Sequence, residues 1–157
     1  MATKIALMYC IVIEQTKDYT KRIAYDPVTN TFHETGNDCL FHQRGFIYPY
    51  GWLQGFGTPP QKHLDAFLLS RENYALGEIK EIKIVGVFKR NDGDHKLVGT
   101  LPERSERDFS QLPNEEKNAL YKLYPHVSDG EGWFGAEMAN EIIVNFNGLG
   151  NKNNGLD

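Results

Sequence analysis

Cysteine is scarce in this chain: Cys10 and Cys39 are the two in 157 residues. Two cysteines allow one disulfide, not the dense framework of a small secreted domain, and point to a reduced, cytoplasmic protein. A basic excess is also missing. Lys and Arg number 17 against 21 Asp and Glu, a net charge of −4, which excludes the broad cationic face of a nucleic-acid binder. Long apolar runs are absent too. The first, Ile5–Ile13, is about nine residues long and carries Tyr9 and Cys10 inside it. That is short of the ~20 residues of a membrane span, and it lacks the basic start and small-residue cleavage site of a secretory signal. A buried strand fits it better.

What is present suits one folded domain. Apolar residues make up 40% of the chain and aromatics 12%, enough for a core. No linker or internal repeat divides the chain. The one biased stretch is the Asn- and Gly-rich end, so a single domain over 1–146 and a flexible tail over 147–157 are expected.

The first two-thirds read as β. Ile5–Glu14 is a strand. Lys21–Tyr25 and Thr31–Glu34 flank Asp26-Pro27-Val28-Thr29-Asn30, a hairpin turn in which Pro fixes φ and Asn tolerates the left-handed region. Phe46–Leu53, Asp65–Leu69 and Glu78–Arg90 follow as strands, and Lys96–Leu101 returns after the turn Asn91-Asp92-Gly93-Asp94. The last third reads as α. Pro113-Asn114-Glu115-Glu116 starts a helix, with Asn114 as its cap, and Pro125 stops it. Phe134–Phe146 is a second helix, with Ala139, Ile142, Ile143 and Phe146 on one face. Strands followed by helices give an α+β chain, a small OB-like β-barrel carrying two C-terminal α-helices.

Four segments in this order resemble the soluble, Mg-dependent (family I) inorganic pyrophosphatases. They are Phe46-Ile47-Tyr48-Pro49-Tyr50-Gly51-Trp52, Leu64-Asp65-Ala66-Phe67-Leu68-Leu69, the stretch from Val85 to Pro102, and Gly132-Trp133 with Ala136, Ala139 and Ile142. The resemblance covers Cys10 to Phe146 and implies a five-stranded barrel. It also implies a hydrolase that uses Mg²⁺ on a phosphoanhydride or related phosphate compound. Carboxylate-held Mg²⁺ neutralises a compact polyanion and lowers the pKa of a bound water, while Lys, Arg and Tyr donate to the leaving phosphate.

Residue by residue, the resemblance places Asp65, Asp92, Asp94 and Glu14 as metal-binding acids. It places Arg22 and Lys96 as phosphate-binding cations, Tyr50 near the nucleophile, and Tyr124 as the phosphate-binding Tyr. Tyr121-Lys122 is a competing match for that last position. A small phosphorylated or anionic substrate and a homo-oligomer are implied as well.

The pattern breaks most sharply in the loop before Asp65, and also at Pro125, where the family has a Lys, and at Ala24, where it has a Glu. The family's Asp-Gly-Asp-Pro-x-Asp run is here Pro60-Gln61-Lys62-His63-Leu64-Asp65, and the loop Gly55–His63 holds no acid at all. Two negative charges are lost and one positive gained. Fewer metal ions, or none, and weak or absent ordinary pyrophosphatase activity are therefore expected. Lys62 is a candidate to replace a cation beside Asp65 or Asp92. Lys62 and His63, with Arg44, are also candidates for a different, metal-independent reaction. A third reading is a non-catalytic binder of a phosphorylated metabolite. His33, Cys39 and His42 match no standard zinc spacing. Trp52, Phe56 and Trp133 read as core or pocket wall, and His126 as a surface residue.

Overall fold

The computed structural model describes residues 7–156, with side chains as far as Phe146. The start of the first strand at Ile5 and the side chains of the tail 147–157 lie outside the described residues. The strands are β1 (Leu7–Gln15), β2 (Lys21–Asp26), β3 (Thr31–Asp38), β4 (Tyr50–Leu53), β5 (Asp65–Leu68), β6 (Ile79–Lys89), β7 (Lys96–Thr100) and β8 (Gly132–Gly135). The helices are α1 (Leu40–Gln43), α2 (Asn114–Leu123) and α3 (Ala136–Leu156).

Five strands close a barrel in the order β1-β4-β5-β7-β6, because β6 pairs back onto β1. The β5–β7 pair is parallel and the other neighbours are antiparallel. β6 is long enough to serve two partners: Ile79–Ile84 pair with β1, and Gly86–Lys89 pair with β8. β2 and β3 form a separate hairpin.

Alternation along β5 divides the core between the two faces of the barrel wall. Ala66 and Leu68 join Ile11, Ile13, Ile82, Ile84 and Leu97, a cluster that α3 covers with Ala139 and Ile143. Phe67 and Leu69 join Tyr50, Val85, Val98 and Phe109, a cluster that α2 covers with Leu120 and Leu123. Burying one such side chain contributes about 1.5–3 kcal/mol. At the β1–β4 contact the backbones come so close that only glycine fits: a Cβ on Gly51 would lie 1.8 Å from the Val12 carbonyl oxygen.

Several expectations needed correction. The strand expected over Phe46–Leu53 pairs only over Tyr50–Leu53, since Pro49 has no N–H to give a ladder. The second C-terminal helix begins at Ala136, not Phe134. Trp133 and Phe134 belong to β8, which completes the free edge of β6. The first turn of α3 is held instead by Asp108, whose Oδ1 accepts from the Ala136 N–H at 2.8 Å. Asn114 does not cap α2; Pro113 holds that position without a side-chain bond. Glu106 and Glu116 are half-buried. The Arg104 guanidinium donates to both, at 2.8–3.1 Å, and also to the Leu69 carbonyl at 3.1 Å. This ties the loop after β7 to α2 and to the end of β5.

Candidate functional site

The site face of the barrel is set by register. Asp65 on β5 lies opposite Trp52 on β4 and opposite Lys96 on β7. Cross-strand partners share a face, and so do residues two apart on one strand. Tyr50, Trp52, Asp65, Phe67, Lys96 and Val98 therefore line one surface. Glu14 reaches it through an irregularity. Between Ile13 and Gln15 the β1–β4 register slips by one residue, and Glu14 is the extra one. Such bulges re-aim side chains next to functional sites. The neighbouring Gln15 side chain anchors the hairpin, donating to the Lys21 carbonyl and accepting from the Ile23 N–H. Arg22 lies between those two anchors, with its guanidinium 5.7 Å from the centre of the Tyr50 ring.

Lys96 is the hub. Its ammonium donates to Asp65 Oδ2 at 2.6 Å, Asp94 Oδ1 at 3.0 Å and Tyr50 Oη at 3.1 Å. Those are all three of its N–H bonds. His63 takes the other oxygen of Asp65: Nε2 lies 2.7 Å from Oδ1 as an ion pair, off the line of a hydrogen bond. Nδ1 of the same ring is 2.6 Å from the Gln61 carbonyl oxygen. An imidazole whose two nitrogens both face acceptors is favoured as the imidazolium. Burial works against that charge, but the Asp65 carboxylate and the Gln61 carbonyl raise the His63 pKa overall.

The same contacts act on the acids. Burial opposes ionisation of Asp65, yet His63 and Lys96 outweigh it and hold the carboxyl at about 2. Glu14 has no such clamp. Its burial dominates and, despite Arg22, moves its pKa to about 7. Burial, reinforced by the Asp65 charge, pushes the Tyr50 phenol well up. The Tyr124 phenol is also pushed up, chiefly by burial. Tyr124 stacks on Phe88, with ring centres 4.4 Å apart.

Arg90 is a participant that the sequence reading did not pick out. It lies 5.6 Å over the Tyr124 ring and 3.6 Å and 3.8 Å from the Asp94 and Asp92 carboxylates. The available signal was its place two residues ahead of Asp92 at the end of β6. Asp92 is exposed and braces the turn, accepting from the Asp94 N–H. Gly93 turns there with φ of 84°.

Other candidates lie elsewhere. Lys62 extends over the Phe146 ring of α3, 5.7 Å from its centre; of the two loop residues, it is His63 that lies beside Asp65. Arg44 donates to the Leu123 carbonyl at the end of α2. Tyr121 is exposed and packs near Phe109 and Trp133. Trp52 and Phe56 are buried.

The donor set does not fit a divalent metal ion. Among the described residues, no three His, Cys, Asp or Glu side chains converge as ligands would. Asp65 and Asp94 both face one point, and the Lys96 ammonium occupies it. The cations here are Arg22, Arg90 and Lys96, joined by His63 when it is protonated, against Asp65, Asp92 and Asp94 with Glu14 half-ionised near neutrality. At 4 Å and an effective dielectric of 20, each of these cations repels a dication by roughly as much as each carboxylate attracts it, about 8 kcal/mol, so the cluster has no net anionic excess to hold one.

No described helix is long and apolar enough to cross a membrane. No protein-family model and no curated protein matches the chain. Solved structures do. The inorganic pyrophosphatase of Ehrlichia chaffeensis superposes with a TM-score of 0.69 at 18% identity, covering 91% of this chain and 95% of that one. That of Thermus thermophilus gives 0.64 at 18% identity, covering 93% and 95%. That of Neisseria gonorrhoeae gives 0.63 at 20% identity, covering 89% and 90%. A closed five-stranded mixed barrel with its C-terminal helices, matched over nearly the whole length, establishes that this chain has the inorganic pyrophosphatase fold.

Proposed function

We propose that the chain binds a small phosphorylated compound in the cleft of a pyrophosphatase-type barrel, without a divalent metal. The observation that carries this reading is the double engagement of Asp65, by Lys96 at 2.6 Å and His63 at 2.7 Å. In the pyrophosphatases that the sequence resembles, the matching carboxylate serves a metal. Here it holds the buried Lys96 ammonium and the partly buried His63 ring.

Arg22, Arg90 and Tyr124 border the cluster and offer donors to an anion. Lys96 becomes a further donor when Asp94, the exposed one of its three partners, gives way to a phosphate oxygen. Asp94 then has Arg90 beside it at 3.6 Å. A reaction run by Lys62 and His63 is less well supported. Lys62 is outside the cluster, and both His63 nitrogens are already engaged.

Hydrolysis in this cleft is therefore expected to be weak or absent, and Mg²⁺ is not expected to restore it. Phosphate release from inorganic pyrophosphate, measured with and without Mg²⁺, tests this. Turnover at the level of an ordinary pyrophosphatase would overturn the reading.

A further inference from the structure

A cleft adjoins the cationic cluster. It has a volume of about 310 Å³ and lies between the β2–β3 hairpin and the barrel, with Tyr25, Phe32 and Trp52 among its walls. That volume is at the lower end of the range for small-molecule sites, about 300–1,000 Å³. The three rings form one aromatic unit. Tyr25 is 4.8 Å from Phe32 and 4.9 Å from Trp52, and Phe32 stands nearly parallel to Trp52 at 6.1 Å. Phe32 is held by a close backbone approach: a Cβ on Gly77 would lie 2.9 Å from its ring edge, and Gly77 has φ of 85°.

Trp52 joins this cleft to the cationic cluster. Trp52 is the register partner of Asp65, and Tyr50 precedes it by two residues on the same face of β4. The hairpin follows the same line, with Arg22 over Tyr50 and Tyr25 against Trp52. The cationic end and the aromatic end are thus two strand residues apart, about 7 Å. The aromatic end also has polar groups at its rim. Gln54 and Thr58 line it, and neither side chain hydrogen-bonds to another described residue.

We propose that the aromatic cleft receives the planar heteroaromatic ring of a nucleoside phosphate whose phosphate lies at Arg22 and Lys96. The ligand class is then a nucleotide, not inorganic phosphate or pyrophosphate. This rests on the anion-binding reading above and narrows it. Phosphate chemistry alone accounts for the cationic end but leaves an aromatic cleft and two uncommitted polar side chains beside it unused. A base accounts for both: its face stacks on the rings, and its edge meets the Gln54 amide and the Thr58 hydroxyl.

The test is calorimetric titration of the full chain, without divalent ions, with adenosine 5′-monophosphate, ribose 5-phosphate and inorganic phosphate. Stacking of one base is expected to make the nucleotide bind about tenfold or more tighter than ribose 5-phosphate. Phe32→Ala should erase that advantage while changing ribose 5-phosphate binding by less than about twofold. Phe32→Leu, which keeps more of the packing, should erase most of it and guards against a folding defect in the alanine variant. Equal affinities for nucleotide and ribose 5-phosphate would overturn the inference and leave the anion site standing. If the nucleotide binds and Lys96→Met leaves its affinity unchanged, both readings fall. If none of the three compounds binds, both fall as well.

Discussion

Replacing Lys96 with Met removes the ammonium that holds Asp65, Asp94 and Tyr50 together. Lys96 is 7% exposed and Asp65 5%, so the substitution leaves a buried carboxylate with His63 as its remaining cation. Two routes give the cost. Holding the Asp65 pKa at about 2 instead of 3.8 favours the ion by roughly 2 kcal/mol, shared between Lys96 and His63. Breaking a buried ion pair by removing one partner costs about 3–5 kcal/mol, because the other charge is stranded. A loss of about 2–4 kcal/mol is therefore expected. In a domain of this size each kcal/mol shifts the melting temperature by about 2–4 °C, so a drop of roughly 5–15 °C follows. Urea unfolding measures the same loss as a shifted midpoint at constant slope. The double variant Lys96→Met with Asp65→Asn should recover a large part of it, because no charge is then stranded. A Lys96→Met protein within about 1 kcal/mol of the parent, or a double variant no better than the single one, would refute the reasoning.

Other outcomes follow from the same site. Glu14 has a raised pKa, so the folded state binds the extra proton. Its contribution is fully present below about pH 4.5 and is lost as pH rises through about 7, a change on the order of 3 kcal/mol. His63 adds to the same trend, since its raised pKa contributes stability below its unfolded value near 6.5 that disappears as pH rises through the folded one. Melting temperature against pH should therefore fall across neutrality, and Glu14→Gln should flatten that fall. An unchanged slope in the variant would contradict the assignment. At the acid end, Asp65 contributes stability that is present above about pH 4 and lost as pH falls through about 2, which Asp65→Asn should remove from the same profile. Gly51→Ala places a methyl 1.8 Å from the Val12 carbonyl oxygen and should cost several kcal/mol by forcing β1 and β4 apart; normal expression and melting would show that the strands give way easily.

The strands were legible because their apolar runs are bounded by turn chemistry. Asp26–Asn30 turns as expected: Asp26 Oδ1 accepts from the Val28 N–H, and Asn30 takes a positive φ of 54°. The segment from β6 to β7 was legible for the same reason, with Gly93 at the turn. β8 was not, because the aromatic pair Trp133-Phe134 continues without a break into an amphipathic helix and its strand partner is more than forty residues upstream.

Four of the residues chosen for the site, Tyr50, Asp65, Asp94 and Lys96, meet at one ammonium. The remainder turned on tertiary detail. The broken match to the family's acidic run pointed to Lys62 as a new cation near Asp65, but the choice between adjacent Lys62 and His63 depends on which way the loop points. Arg90 was hidden because a turn's flanking cation looks like a solvated charge. Glu14 reaches the site face through a register slip that no sequence periodicity marks. The mild acidity of the whole chain is equally uninformative about the site, where the buried Lys96 ammonium holds Asp65 and Asp94.

The most direct test of the account is the thermal response of the purified chain to inorganic phosphate and to Mg²⁺, each alone. The account predicts that phosphate raises the melting temperature without any divalent ion and that Mg²⁺ alone leaves it unchanged. Stabilisation by Mg²⁺ alone, with a phosphate effect that appears only when Mg²⁺ is present, would contradict it.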